Sequence, residues 1–354
     1  MTFSLSWTDL IASLMEGKNL SVGESEWAMS QIVTGQATPA QLAAFLVALR
    51  IKGETVDEIV GFRDAILDHA HPIDISSNSL DIVGTGGDRF GTVNISTMSS
   101  IIAAASGIPV VKHGNKAASS RSGSSDVLHE LGVNLALDSG HLIEVFQKTN
   151  IAFIFAGRVH PGFRHAGVTR QEIGVPTVFN FLGPLCNPVR PESSAVGVAQ
   201  LDRVPLIVGV FQTRGANALV FRGDEGLDEL STAGHSHIWE VARGAVTEHD
   251  LNPRDLGIKR ASMEDLLGKD AVYNARIARE TLAGSSGPIR DIVLLNAAAG
   301  MVAYDLHRSP STIEIPLLDR LRSHLLIAEE AIDSGAALRK LEEWAEATQE
   351  ISSR

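Results

Sequence analysis

Between Gly84 and Thr97 the sequence reads GTGGDRFGTVNIST, in which four glycines and an acid lead through amide and hydroxyl side chains into the apolar stretch MSSIIAAAS. Glycines let backbone N–H groups approach an anionic oxygen, and the start of the following helix favours negative charge, so the chemistry offered is phosphate binding. The stretch fits neither common phosphate template. The dinucleotide fingerprint needs a glycine where Arg89 stands, and the P-loop needs Gly-Lys-Ser/Thr, which is absent. A tight strand-to-helix turn with ordinary capping explains the glycines equally well, and Ser96 serves as either cap or ligand.

Two further stretches supply what the first lacks. KHGNKAASSRSGSSD, from Lys112 to Asp126, places Lys112, Lys116 and Arg121 among glycines and five serines, a composition suited to wrapping a polyanion with charge and neutral donors. It follows the β-branched run IPVV, at the carboxyl end where open α/β sheets bind ligands. In GDEGLDELS, the acids Asp224, Glu225, Asp228 and Glu229 follow another such run; carboxylates of this kind suit Mg2+, which keeps one or two of them together with substrate phosphate and water. Taken singly, the second stretch reads also as a solvated loop and the third as solvated acids.

These loops need a scaffold. A chain of 354 residues with 44% hydrophobic residues exceeds one compact domain. Residues 7–16, 24–34, 39–51 and 55–70 read as amphipathic helices, the third with Thr38 as cap, Pro39 in its first turn and Gln41 completing a capping box. From residue 73 onward, the runs IPVV, IAFIFA, VPTVF, AVGVA and ALVFRG read as strands. They alternate with helical segments at 97–106, 124–131, 139–149 and 203–214, and a long closing helix covers 317–349, with Gly335 as a break or a close-packing point. The expected class is α/β: a small N-terminal helical domain, residues 1–72 joined by helices from about 168–192, and a larger α/β domain, residues 73–354, with a largely parallel central sheet. Thirty Lys and Arg against 42 Asp and Glu give a net charge of −12, which disfavours nucleic acid and anionic lipid and leaves any anionic ligand dependent on local cations or metal. One cysteine, an N-terminus without a signal-peptide pattern and no unbroken apolar run of spanning length point to a reducing cytoplasm and no membrane partner.

Taken together and in order, GTGGDRFGTVNIST, KHGNKAASSRSGSSDVLHELGVNL, RQEIGVPTVFNFLGPLCNP and GLDELS resemble the anthranilate phosphoribosyltransferases of tryptophan biosynthesis, over nearly the whole chain. The resemblance implies that Gly84, Gly87, Asp88, Thr92, Asn94, Ile95, Ser96 and Thr97 hold the donor, 5-phosphoribosyl 1-diphosphate. It adds Lys112, His113, Gly114, Asn115, Lys116, Ala117, Ala118, Ser119 and Ser120, with Ser124, to the same site. It places Gly84, Asn115 and Arg170 at anthranilate, and Ser96, Asp228 and Glu229 at Mg2+. It further implies a homodimer through the helical domain, and it assigns no residue as a catalytic acid or base.

The chemistry is consistent with that assignment. A guanidinium at Arg170 suits a carboxylate, the alternative being a surface ion pair with Glu172, and His113, His160 and His165 could line the acceptor route or be merely structural. An aromatic amine is neutral at pH 7, so attack on C1 of the ribose requires no prior base. The sequence departs from the family pattern at Gly157, where proline is usual, at Arg121 in place of lysine and at Cys186 in place of threonine. His235 and His237 are also unusual. The rival readings are a pyrimidine nucleoside phosphorylase of similar fold and a nucleic-acid-binding, non-catalytic relative; the charge balance opposes the second.

Overall fold

The computed structural model describes residues 5–116 and 122–353, so the expectations for Ala117, Ala118, Ser119, Ser120 and Arg121 fall outside the described residues. Four helices open the chain, and side-chain caps set where each begins. They are α1 (Trp7–Met15), α2 (Val22–Val33), α3 (Pro39–Lys52) and α4 (Val56–Asp68). Ser21 with Glu24, Thr38 with Gln41 and Thr55 with Glu58 form capping boxes at the last three, satisfying N–H groups that the helix cannot. Their apolar faces meet in one core around Phe45, Phe62 and Met29.

The strands are β1 (Leu80–Gly84), β2 (Val110–Gly114), β3 (Ile151–Phe155), β4 (Ser193–Gly197), β5 (Asn217–Gly223), β6 (Ser236–Ala242) and β7 (Ala245–Leu251). Among the described residues they form one sheet in the order β3-β2-β1-β4-β5-β6-β7, parallel from β3 to β5 and antiparallel beyond. The intervening helices are α5 (Ile95–Ala105), α6 (Ser124–Glu130), α7 (Ser139–Thr149), α8 (Ala156–Val159), α9 (Arg164–Ile173) and α10 (Val204–Arg214). After the sheet come α11 (Ala271–Leu282), α12 (Pro288–Arg308), α13 (Leu317–Asp333) and α14 (Ala336–Ser352).

Period-two alternation divides the sheet residues between two cores. Leu80, Ile82, Ala195 and Leu219 face α5 and α12, while Val196, Ala218 and Val220 share a core with α10 and the N-terminal helices. Helix α9 packs on α2 and α3, and Val178, Phe181, Leu182 and Leu185 join the same core. Gly162 fits this seam because a Cβ there would come within 2.7 Å of the Val33 Cβ. No helix among the described residues is long and apolar enough to cross a membrane.

One expected strand needs correction. VPTVF is not a strand: the Thr177 N–H donates to the Asn180 side chain and Val178–Asn180 turns as a short 3-10 helix, because Pro176 lacks a ladder donor and the turn buries Val178. The closing helix does break at Gly335, as its sequence suggests, into α13 and α14, and the Gly335 φ of 75° lies in the left-handed region. The hairpin β6–β7 and the buried helix α12 carry no clear sequence signal; the hairpin turns on Arg243 and Gly244, both at positive φ, a geometry that a non-glycine at the first position conceals.

Candidate functional site

The strand order reverses between β1 and β4, and there the parallel sheet opens a crevice at its carboxyl edge. The two strands end on a register pair of glycines, Gly84 and Gly197. Both are small because Asp228 lies directly over them: a Cβ at Gly84 would strike the Asp228 carboxylate and one at Gly197 its backbone carbonyl. The carboxylate is held from the other side by the Gly86 N–H, at 2.6 Å from Oδ2. Thus the glycine loop and the acidic stretch, 142 residues apart, meet over the strand ends.

Glu229 is buried beside Asp228, each 9% exposed, and lies near the backbone N–H of Ser96 in the first turn of α5, which favours its charged form. Burial, then the neighbouring Asp88, pushes the Asp228 carboxyl up to about 7. Burial and Asp228 push Glu229 well above the usual range. Two acids so placed repel each other unless a cation joins them, and this donor set fits Mg2+: two carboxylates and the Ser96 hydroxyl, with the remaining positions left to phosphate and water. Among the described residues no three His, Cys, Asp or Glu side chains converge as an all-protein cage would require.

Lys112 differs from a solvated loop cation. It lies in β2, is 2% exposed, and donates from Nζ to the Ile82 carbonyl at 2.5 Å and to Ser96 Oγ at 3.1 Å. Burial lowers its pKa, with Asp81 and Glu229 opposing the fall. Its head therefore sits beneath the site, against Ser96. Nor is Ser96 the helix cap: Asn94 occupies that position, without a side-chain cap bond, and Ser96 is inside the first turn.

The rest of the glycine loop is fastened to a segment that carries no sequence signal of its own. Val93 N–H donates to Leu266, Gly268 N–H to Gly91, and Thr92 bridges Leu267. Asn274, buried at the start of α11, donates to Asn94 Oδ1 at 3.0 Å. Gly86, Gly87, Arg89 and Gly91 all take positive φ, so the peptide groups turn in ways an L-residue chain avoids. Arg89 brings an exposed guanidinium to this loop. Ile95 is core, whereas Thr97 keeps a buried hydroxyl without a protein partner. Gly114, Asn115 and Lys116 follow at the end of β2, the last two exposed, and Ser124 opens α6.

A cleft of about 240 Å³ adjoins Asn115 and is lined by Ala156, Gly157, His160, Pro161, Phe163 and Arg164. Gly157 leaves room for the Phe155 ring, which a Cβ there would meet at 2.9 Å. Arg170 is not on this lining and makes no ion pair with Glu172; its guanidinium stacks 5.0 Å from the centre of Phe179, whose ring meets Phe163 edge-on. Arg164, which does line the cleft, carries no sequence signal beyond its charge. His165 lies elsewhere, against Gly35. His237 is spent on Asp250 and Glu248, and His235 lines a separate cleft with Asp224 and Glu225.

His113 and His160 are buried edge to face, 5.3 Å apart, and donate to the carbonyls of Gly183 and Cys186. Burial pulls them down to about 3 and about 4, so both rings are neutral. Below about pH 6.5 the unfolded chain binds protons that these folded rings refuse, so their contribution to stability falls as pH drops toward 4. The His160→Gln variant removes one such proton. Its unfolding free energy should therefore fall less steeply between pH 6.5 and 4.5, by up to about 1.4 kcal/mol per pH unit, in denaturant titrations run beside the wild type. The opposite contributions of Asp81 and Asp228, whose raised values favour the folded state on acidification, are common to both proteins and cancel.

Residues 76–338 match the "Glycosyl transferase family, a/b domain" and residues 8–70 the "Glycosyl transferase family, helical bundle domain". Over 348 residues, 98% of this chain and 100% of the relative, the sequence is 65% identical to an anthranilate phosphoribosyltransferase of Leifsonia xyli subsp. xyli. The crystal structure of anthranilate phosphoribosyltransferase from Thermus thermophilus aligns with a TM-score of 0.87 at 36% identity, covering 96% of this chain and 99% of that one. That of the Saccharomyces cerevisiae enzyme in complex with PRPP and Mg aligns with a TM-score of 0.86 at 28% identity, covering 97% and 98%. Matched in order by both family models, and 65% identical to a relative over 98% of its own length, the chain belongs to the anthranilate phosphoribosyltransferase family.

Proposed function

We propose that this chain transfers the 5-phosphoribosyl group of 5-phosphoribosyl 1-diphosphate to the amine of anthranilate, releasing diphosphate, as a Mg2+-dependent step of L-tryptophan biosynthesis. The observation that carries this reading is Asp228, seated on the paired glycines of β1 and β4 and bonded to the glycine loop, with Glu229 and Ser96 alongside. Loss of anthranilate fluorescence on adding the donor and Mg2+ tests it. Phosphorolysis of a pyrimidine nucleoside without any such loss would select the rival.

In this reading Asp228, Glu229 and Ser96 hold Mg2+, which when bound neutralises charge on the diphosphate. The glycine loop, with Gly84, Gly87, Asp88, Thr92, Asn94 and Thr97, presents backbone N–H groups and short polar side chains to the donor. Lys112, bonded to Ser96 Oγ, supplies a fixed positive charge under that loop. Asn115 stands where the donor loop meets the aromatic cleft, so the cleft receives anthranilate and holds its amine toward C1 of the ribose. Because the amine is already neutral, the protein acts by alignment and charge stabilisation, and the proton leaves after attack.

Arg170, half-buried and stacked on Phe179, is the anchor we assign to the anthranilate carboxylate. A charge-assisted hydrogen bond of about 1.5–3 kcal/mol corresponds to a roughly 10- to 150-fold rise in the anthranilate KM in Arg170→Ala, with the donor KM nearly unchanged. Steady-state kinetics with each substrate varied in turn would show it, and equal rises in both constants would remove Arg170 from the acceptor site.

Three broader readings go with this function. The chain divides into a helical domain, residues 1–72 joined by 168–192, and an α/β domain, residues 73–354. It pairs as a homodimer through α1 and α3, where Met15 and Ile51 are 77% and 82% exposed on neighbouring helices. On this view Ile51→Glu gives a monomer in sedimentation velocity where the wild type sediments as a dimer, and a monomeric wild type would contradict it. It works in the cytoplasm without nucleic acid or membrane partners, a reading that the net charge of −12 and the single cysteine support.

A further inference from the structure

Strands β1 and β2 are neighbours, yet they share a single register pair, Leu80 with Val110, whereas β1–β4 and β2–β3 each share five. Beyond that pair the ladder is replaced by side chains. Asp81 Oδ1 accepts the His113 N–H at 3.1 Å. Asn187 donates from Nδ2 both to Asp81 Oδ2 at 3.0 Å and to the Val111 carbonyl at 2.8 Å, and its own Oδ1 accepts the Val189 N–H. The Ile82 carbonyl, left without a strand partner, accepts Lys112 Nζ. Asp81, Asn187 and Lys112 are all buried, at 1%, 4% and 2% exposure, so these polar atoms have no water to fall back on.

A parallel ladder normally satisfies its own backbone groups, and burying a carboxylate to do so instead is costly. Something must be gained where the ladder is given up. The gain is position: an opened seam frees the Ile82 carbonyl, and that carbonyl with Ser96 Oγ fixes the Lys112 ammonium directly under the start of α5. A closed ladder would consume the same carbonyl.

We propose that Asp81 and Asn187 are positioning residues, a side-chain wedge that holds β1 and β2 apart so that Lys112 is fixed beneath Ser96 in the donor site. The wedge acts on the donor through Lys112, and the inference rests on the phosphoribosyl-transfer reading of the site. Neither residue touches the acceptor cleft.

The test is a double-mutant cycle read in KM and kcat for each substrate. In Asn187→Ala, the donor KM rises about tenfold or more while the anthranilate KM stays within about twofold. Adding Asn187→Ala to Lys112→Met produces no further rise, because the wedge then has nothing to position. Asp81→Asn, which keeps the volume and an acceptor for His113 but sets two amides against each other, repeats the cycle if Asn187→Ala does not fold. Additive effects on the donor KM, equal rises in both KM values, or a fall in kcat alone would overturn the wedge. A wild type that binds no donor would instead overturn the reading of the site.

Discussion

Asp228→Asn combined with Glu229→Gln lowers kcat/KM for the phosphoribosyl donor by about 10³-fold or more and abolishes the response to added Mg2+. The magnitude follows from the several kcal/mol that a bound cation contributes to neutralising a phosphoryl leaving group. A second result separates this from damage to the fold. In metal-free buffer near neutral pH the double variant melts no lower than the wild type, because neutral isosteres replace two crowded acids whose charged forms are disfavoured by burial, by each other and by the neighbouring Asp88. Calorimetric melting with and without Mg2+ measures it: metal stabilises the wild type and leaves the variant unmoved. An unchanged metal titration would take these acids out of the site.

Gly197→Ala should be nearly as damaging although the residue carries no functional group. Its added methyl would occupy the place of the Asp228 carbonyl, which cannot swing aside as the end of a long side chain would. Displacing Asp228 by about 1 Å costs roughly 10²-fold in kcat/KM, and the overpacking costs about 1–3 kcal/mol of stability. Gly23→Ala is the control: a methyl there meets nothing within 4 Å, and its helical position in α2 gains propensity. Activity in Gly197→Ala equal to that of Gly23→Ala would mean that Asp228 need not rest on the strand ends.

What the sequence disclosed was local. Thr38 and Gln41 announced α3 because a capping box is written within four residues, and GTGGD announced a tight glycine turn after a strand, which the positive φ of Gly86 and Gly87 bears out. The resemblance extended this to acids and cations in the other stretches. Features made by distant residues were not legible. Lys112 sits in a polar run that looks solvated, and only the continuation of β2 to Gly114 turns it inward against Ile82 and Ser96. Gly197 reads as an ordinary strand residue until Asp228 is seen above it. Asn274 and Asn187 act through partners 180 and 106 residues away, so neither has a spacing to betray it. VPTVF misled because β-branched residues also pack well in a buried turn.

On this reading a chain of net charge −12 captures a doubly phosphorylated sugar because Mg2+ and a few placed cations reverse its sign locally. Isothermal titration with 5-phosphoribosyl 1-diphosphate, with Mg2+ and then with chelator, measures this most directly. Saturable binding with metal that weakens sharply with chelator is the predicted result. No heat of binding with metal in excess, or equal binding in both, would contradict it.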